Sequence, residues 1–409
     1  MSVPGRIVIV GSGMAGATAA GALREQGFDG EVVVFGQEPH LPYELPPLSK
    51  DLLLGNIDEP VRVHDEGFYA DKNIDLRTST AVREIDPAER VVRDDRGGSQ
   101  PYDRLLLATG SRPRTLNIAG SDLAGLHTLR TVDDSFALRS ALQKGRRVVI
   151  VGAGWIGCEV AAAARTHGAT VTVVDPVSLP LLGVLGEPMA EVFHRLHVEH
   201  DVDWRLGNGV AGFAGGDAVE SVQLTDGTEL PADLVVLGVG AAPRLELAEQ
   251  AGLTLTKDVP GGGVAVDDTL RTSAPDIFAV GDIAAPQHPV HGRLRVEHWA
   301  NALDQGNHVA ANLLDAGQQW RKSPYFFTDQ YDLGMEYRGL ADPRSDELVV
   351  RGDAAAREFI AFWLRDGRVQ AAMNVNLWDD GDALQALVDG QVQVDAQQLQ
   401  SADLASLVD

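Results

Sequence analysis

Arg6-Ile7-Val8-Ile9-Val10-Gly11-Ser12-Gly13-Met14-Ala15-Gly16 is the stretch whose reading decides the fold. The apolar run Ile7-Val8-Ile9-Val10 reads as a buried parallel strand, and Gly-x-Gly-x-x-Gly turns it into a small-residue helix that runs to about Gln26 and stops at Gly27. Gly11 permits the tight turn, Gly13 keeps a Cβ away from an approaching pyrophosphate, and Gly16 lets the helix lie close on the strand. The first amides of such a helix make an anion site. The unit recurs at Arg147-Val148-Val149-Ile150-Val151-Gly152-Ala153-Gly154-Trp155-Ile156-Gly157, opening an Ala-rich helix to His167 that stops at Gly168. Two copies in one chain imply two dinucleotides, because an enzyme of one nucleotide needs one cradle.

The rest of the composition narrows the field. The 409 residues allow two or three domains, and 44% hydrophobic with 23% charged residues is ordinary for a globular protein. No apolar run approaches the length of about 18 residues that a membrane span needs, and the first strand begins at Arg6, so the expected compartment is the cytoplasm. A net charge of −25 argues against nucleic acid as a partner and serves solubility. The chain has one cysteine, Cys158. A dithiol mechanism within one chain is therefore excluded, and no iron–sulfur cluster can be held by cysteines of this chain. Cys158 itself reads as a small buried side chain in the first turn of the second helix rather than as a reactive thiol.

Further along, Glu31-Val32-Val33-Val34-Phe35 reads as the second parallel strand. Such a strand usually ends in a carboxylate that binds ribose hydroxyls; here that position is Gly36, and Glu38 is the nearest acid, either a ribose ligand or a solvated loop acid. The second unit differs. Its strand Ala169-Thr170-Val171-Thr172-Val173-Val174-Asp175 ends in the carboxylate itself, which accepts from ribose hydroxyls and repels a 2′-phosphate, and no arginine follows before Arg195. The expected nucleotide there is NADH rather than NADPH.

Pro39-His40-Leu41-Pro42-Tyr43-Glu44-Leu45-Pro46-Pro47-Leu48-Ser49-Lys50 carries four prolines that hold an extended path, after which Ser49 reads as the cap of a short helix ending at Gly55. A rigid backbone of this kind sets Lys50 at a fixed point, unless it is a surface lysine. This segment resembles the Pro-Tyr-x-Arg-Pro-Pro-Leu-Ser-Lys motif of the FAD-dependent, NADH-oxidising ferredoxin reductases that serve bacterial cytochromes P450 and ring-hydroxylating dioxygenases, the putidaredoxin, rhodocoxin and biphenyl-dioxygenase reductase group. The resemblance covers nearly the whole chain. It departs at Leu45, where the family has an arginine that helps hold FAD.

The resemblance implies an α/β fold with two Rossmann-like dinucleotide-binding domains of the glutathione-reductase-like flavoprotein type and a C-terminal α+β domain. Residues 1–110 with 243–322 would bind FAD, 111–242 NADH, and 323–409 would form the last domain. The FAD contacts it implies are Gly11, Gly13, Ala15, Gly16, Glu38, Lys50, Val82, Ala108, Thr109, Gly110, Arg130, Gly281, Asp282, His298, Trp299 and Phe327. Those for NADH are Gly152, Gly154, Ile156, Gly157, Glu159, Asp175, Gly238 and Gly240. Glu159 is expected near the nicotinamide and the flavin edge within reach of Lys50, where a positive charge stabilises the reduced flavin. Without the resemblance, Arg130 reads equally as a helix-start surface arginine, Glu159 as a helix-dipole acid and Trp299 as core packing. Several relatives have tryptophan where this chain has Phe327.

Electrons then pass singly to a [2Fe–2S] ferredoxin, the implied protein partner of a monomer or weak dimer. Ferredoxins are usually acidic, so Arg293, Arg295, Arg321 and Lys322 are the expected docking face, against the alternative of unrelated exposed cations. Two other functions fit the same motifs: reduction of a small non-protein acceptor, as in monodehydroascorbate reductases and NADH oxidases, and redox-sensing interaction of the apoptosis-inducing-factor type. His194, His197 and His200 recur every third residue on one helix but lack the flanking pattern of a zinc helix; they read as a mixed polar face, with no metal assigned. Past Pro324, the runs 358–364 and 369–373 around Asp366-Gly367 predict an antiparallel hairpin, and 383–388 and 397–407 predict helices.

Overall fold

The computed structural model describes residues 4–408. The chain divides into two compact units: one holds residues up to Leu45, Pro60–Arg112 and Ala241–Pro324, the other Pro46–Glu59, Pro113–Gly240 and the chain from Tyr325. The short stretch Pro46–Glu59, which carries Lys50, thus groups with the second glycine-turn unit and the C-terminal sheet.

In the first unit a five-stranded parallel sheet runs in the order Ile277–Ala279, Arg104–Leu107, Arg6–Val10, Glu31–Phe35, Ile74–Arg77. Arg6–Val10 sits between two neighbours, with Ile7 opposite both Val32 and Arg104, so both its edges are paired, and Ile7, Val8 and Ile9, pointing to alternate faces, are all buried. The helix Met14–Glu25 follows, ending at Gly27 in the left-handed region (φ 82°). Trp299–Leu313 packs against it at Gly306, where a Cβ would come 2.6 Å from the Ala15 carbonyl oxygen.

The second unit repeats the design with the order Val202–Leu206, Thr170–Asp175, Arg147–Val151, Leu234–Leu237, Leu126–His127. Its helix Trp155–Thr166 is almost wholly alanine and valine toward the sheet. From Tyr325 onward the chain forms a five-stranded antiparallel sheet, Tyr325–Gln330, Leu333–Gly339, Arg368–Val375, Glu358–Arg365, Glu347–Asp353. One face, with Met335, Tyr337 and Trp363, packs on Phe193 and Leu196 of the helix Glu187–Glu199; the other is covered by Leu384 and Leu387 of Gly381–Asp389 and by Leu399. The predicted hairpin turns at Asp366-Gly367 with positive φ at both residues (51° and 72°), the geometry that matches strand twist. The helix predicted over 397–407 instead breaks into Ala396–Ser401, closed by an Asp395/Gln398 capping box, and a 3-10 turn, Ala405–Leu407.

Among the described residues no helix is long and apolar enough to cross a membrane.

Candidate functional site

The two glycine turns repeat the same local geometry. Gly11 and Gly152 have φ of 114° and 111°, and a Cβ at either would meet a backbone carbonyl, Ala108 O at 2.1 Å or Gly238 O at 2.3 Å. A Cβ at Gly16 would lie 1.9 Å from Gly11 O, and one at Gly157 2.0 Å from Gly152 O. These four glycines are demanded by the protein's own backbone. The middle ones are not. Gly13 and Gly154 have ordinary extended φ (−69° and −84°), and a Cβ at either meets nothing within 4 Å. Each is the N-cap of its helix and offers no capping side chain, so the first amides face open space. That is the cradle of an approaching pyrophosphate, and it fits a dinucleotide in both turns.

Beyond each turn the acids differ. Asp175 holds its place through backbone donors: Ala153 N–H reaches Oδ2 at 2.7 Å and Val177 N–H reaches Oδ1 at 2.9 Å, which leaves a lone pair on each oxygen for ribose hydroxyls. In the first turn a Cβ at Gly36 would strike Ser12 Oγ at 2.3 Å, so with Ser12 in place the strand end has no room for an acid. Glu38 instead accepts from the Tyr43 hydroxyl at 2.5 Å.

Lys50 and Glu159 are brought together: Nζ lies 2.8 Å from Oε1, with the carboxylate 3% exposed. Glu159 has two further donors, Ser49 Oγ to Oε2 at 2.5 Å and Thr328 Oγ1 to Oε1 at 2.6 Å. Ser49 is therefore not the cap of Asp51–Leu54. Lys50 occupies the N-cap without a side-chain bond, and the serine hydroxyl serves the buried carboxylate, where an ionised acceptor makes the stronger bond. Lys50 also stands over the Phe327 ring, 5.3 Å from its centre, which adds a cation–π contact. Burial pushes the Asp329 carboxyl up; Lys50 opposes this, and Glu159 adds to it. Cys158, beside Glu159, is fully buried, and burial first, then the charges of Glu159 and Asp175, push its thiol far up, so it supplies no thiolate.

The remaining expected residues spread over both units. Ala108 lies against Gly11, Gly281 (φ 68°) lies beside Ala15, and its N–H donates to the buried Gln305. Asp282 is buried at 6% exposure in the turn Gly281–Ile283, Thr109 Oγ1 donates to Arg244 O, and Val82 is buried on its strand. His298 is the extended residue from which Trp299–Leu313 begins. Arg130 N–H donates to Asp134. Ile156 is exposed on the second helix, and Gly240 (φ 97°) follows Gly238, whose N–H bonds Val151 O.

The expected docking face needs correction. The Arg295 side chain is only 6% exposed and donates to Asp282 O, Pro260 O and Glu297. Arg293 is half-buried on Val266 O and Ala285 O, and Lys322 pairs with Asp304 at 2.7 Å. Arg293 and Arg295 brace their own fold instead of forming a free cationic patch. The histidine triplet is likewise dispersed: His197 bonds Gln330, His200 stacks on Tyr331 with ring centres 3.6 Å apart, and His194 faces Glu191. Among the described residues no group of three or more His, Cys, Asp or Glu could hold a metal ion.

Sequence reasoning missed Ser49, Thr328, Gln330 and His197 around Glu159, and Tyr43 on Glu38. The period of two in Phe326-Phe327-Thr328-Asp329-Gln330 was the available signal, since it sets Thr328 and Gln330 on the face whose neighbour Phe326 packs into the core.

Paired cradles with a buried lysine–carboxylate pair define a two-nucleotide oxidoreductase, and residues 5–306 match the family model described as pyridine nucleotide-disulphide oxidoreductase, a family that implies FAD and NAD(H). Residues 325–408 match the model described as Reductase C-terminal. The chain is 41% identical over 400 residues, 96% of each chain, to the ferredoxin–NAD(+) reductase component of the anthranilate 1,2-dioxygenase system of Burkholderia cepacia. It is 38% identical to the corresponding component of the biphenyl dioxygenase system of Paraburkholderia xenovorans, over 96% of this chain and 95% of that one. A crystal structure of the covalent putidaredoxin reductase–putidaredoxin complex matches with a TM-score of 0.94 and 34% identity, over 100% of this chain and 99% of that one. The chain belongs to the ferredoxin–NAD reductase family.

Proposed function

We propose that this chain takes electrons from NADH and delivers them singly, through FAD, to a [2Fe–2S] ferredoxin that feeds a dioxygenase or a cytochrome P450. The carrying observation is the duplicated turn in which Gly13 and Gly154 are glycine for no reason internal to the protein. When bound, FAD supplies the step no side chain can, accepting a hydride and releasing its electrons one at a time. Around it the chain's own groups bind and orient. The amides after Gly13 hold one pyrophosphate and those after Gly154 the other. Asp175 accepts from the adenosine ribose and repels a 2′-phosphate, favouring NADH. Lys50, held by Glu159, provides a fixed ammonium for the negative charge that reduction creates. The single cysteine and its buried thiol leave no internal dithiol to receive the electrons, so the acceptor is external. The same reading keeps the protein in the cytoplasm.

The test is spectroscopic and kinetic. The purified protein should be yellow and should bleach with NADH under anaerobic conditions, and NADH-driven reduction of cytochrome c should depend on added [2Fe–2S] ferredoxin. Turnover with small quinones or oxygen that ferredoxin does not accelerate would assign the chain to the small-acceptor reductases instead.

A further inference from the structure

Glu159 lies in a buried run of hydrogen bonds whose direction the chemistry fixes. An ionised carboxylate only accepts, so the Thr328 hydroxyl, 2.6 Å away and itself fully buried, must donate to it. Its lone pairs then take the next bond, from Gln330 Nε2 at 3.2 Å. That sets the amide oxygen of Gln330 toward His197, whose Nε2, 2.9 Å away, must carry the proton. Gln330 and His197 are both 0% exposed, so water cannot replace either partner. Burial holds the imidazole down at about 4, against the opposing hydrogen bond to Gln330 and with the neighbouring histidines adding to burial, which keeps it neutral near pH 7. Hydroxyl, amide and imidazole therefore all point their positive ends at one carboxylate. Dipoles aligned in a dry environment polarise one another and strengthen the bonds that hold that carboxylate in place. The charged groups facing that carboxylate are Lys50 and Asp329, and Ser49 donates from the opposite side.

We infer that Thr328, Gln330 and His197 are positioning residues that hold the Glu159 carboxylate aimed at Lys50, so that the ammonium stays where hydride transfer needs it. The inference deepens the function proposed above and rests on it for the role of Lys50. The helix carrying His197 thereby gains a task that a metal reading would have missed.

Two measurements test it. In histidine-labelled wild-type protein, 15N NMR should find His197 as the neutral Nε2–H tautomer through neutral pH; an Nδ1–H tautomer or an imidazolium would overturn the relay without reference to activity. Stopped-flow reduction of the flavin by NADH should slow about tenfold in Thr328→Val with little change in the KM for NADH, and Thr328→Ser should restore the rate. Gln330→Leu, which leaves Thr328 in place, should slow it about threefold. A wild-type rate in Thr328→Val, or a Thr328→Ser variant no better than the valine, would overturn the inference. Should NADH fail to reduce even the wild-type flavin, the function proposed above falls while the tautomer result still judges the relay.

Discussion

The two glycine turns share a backbone and differ in where they keep their acid. In the first, Ser12 fills the space beside Gly36, and the nearest carboxylate, Glu38, stands on a loop with the Tyr43 hydroxyl holding it. In the second, Ala153 brings no side-chain oxygen, and its N–H bonds directly to Asp175 at the strand end. The residue between the first two glycines and the residue ending the second strand thus change together. A hydroxyl goes with a glycine, a methyl with an aspartate. On the proposed assignment, the second turn would carry its NADH specificity on rigid sheet, as suits a nucleotide chosen afresh at every turnover, and the first, with its acid on a loop, would serve a group bound once and kept.

The largest effect that would sharpen this comparison lies where the turns are identical. Gly16→Ala and Gly157→Ala each drive a Cβ to within 2.0 Å of a carbonyl oxygen, so each should destabilise by about 3 kcal/mol and lower the melting temperature by about 10 °C. A melt as high as wild type in either variant would mean the two turns are not built alike. Next in size is the middle glycine. Gly13→Ala and Gly154→Ala should leave the melting temperature of the apoprotein unchanged, yet the first should retain FAD about tenfold more weakly and the second raise the KM for NADH about tenfold. Equal losses for both nucleotides in one variant would break the assignment of turn to ligand. The smallest effect concerns the acids. Asp175→Ala should raise the KM for NADH severalfold and narrow the preference over NADPH, while Glu38→Ala should weaken FAD retention by only about threefold. Steady-state kinetics with both nucleotides and flavin released on dilution read the two outcomes.

Much of this was legible because its signals are local. Four apolar residues before Gly-x-Gly-x-x-Gly specify strand, turn and helix within one short window, and both copies have the predicted form. Asp366-Gly367 specified its hairpin for the same reason. The surroundings of Glu159 were not local: Ser49 and Thr328 approach from 110 and 169 residues away. A serine just before a short helix reads as a cap on propensity alone, and only the fold reveals an ionised acceptor within its reach. Arg295 failed in the opposite sense. Arginine is exposed by default, and nothing in Arg293-Leu294-Arg295 announces that two carbonyls and a carboxylate wait to receive it. Polar residues on a buried strand face, such as Thr328 and Gln330, are the general case of this blindness, because alternation tells which residues share a face without telling what that face meets.

The open ground in front of Gly13 has a practical corollary. A Cβ built on Gly13 meets nothing within 4 Å, so the turn's own packing does not lean on a bound group, and the polypeptide should survive being stripped and reloaded. A colourless preparation could then accept deaza- or halogen-substituted flavins in turn, giving a series of reductases that differ in driving force alone.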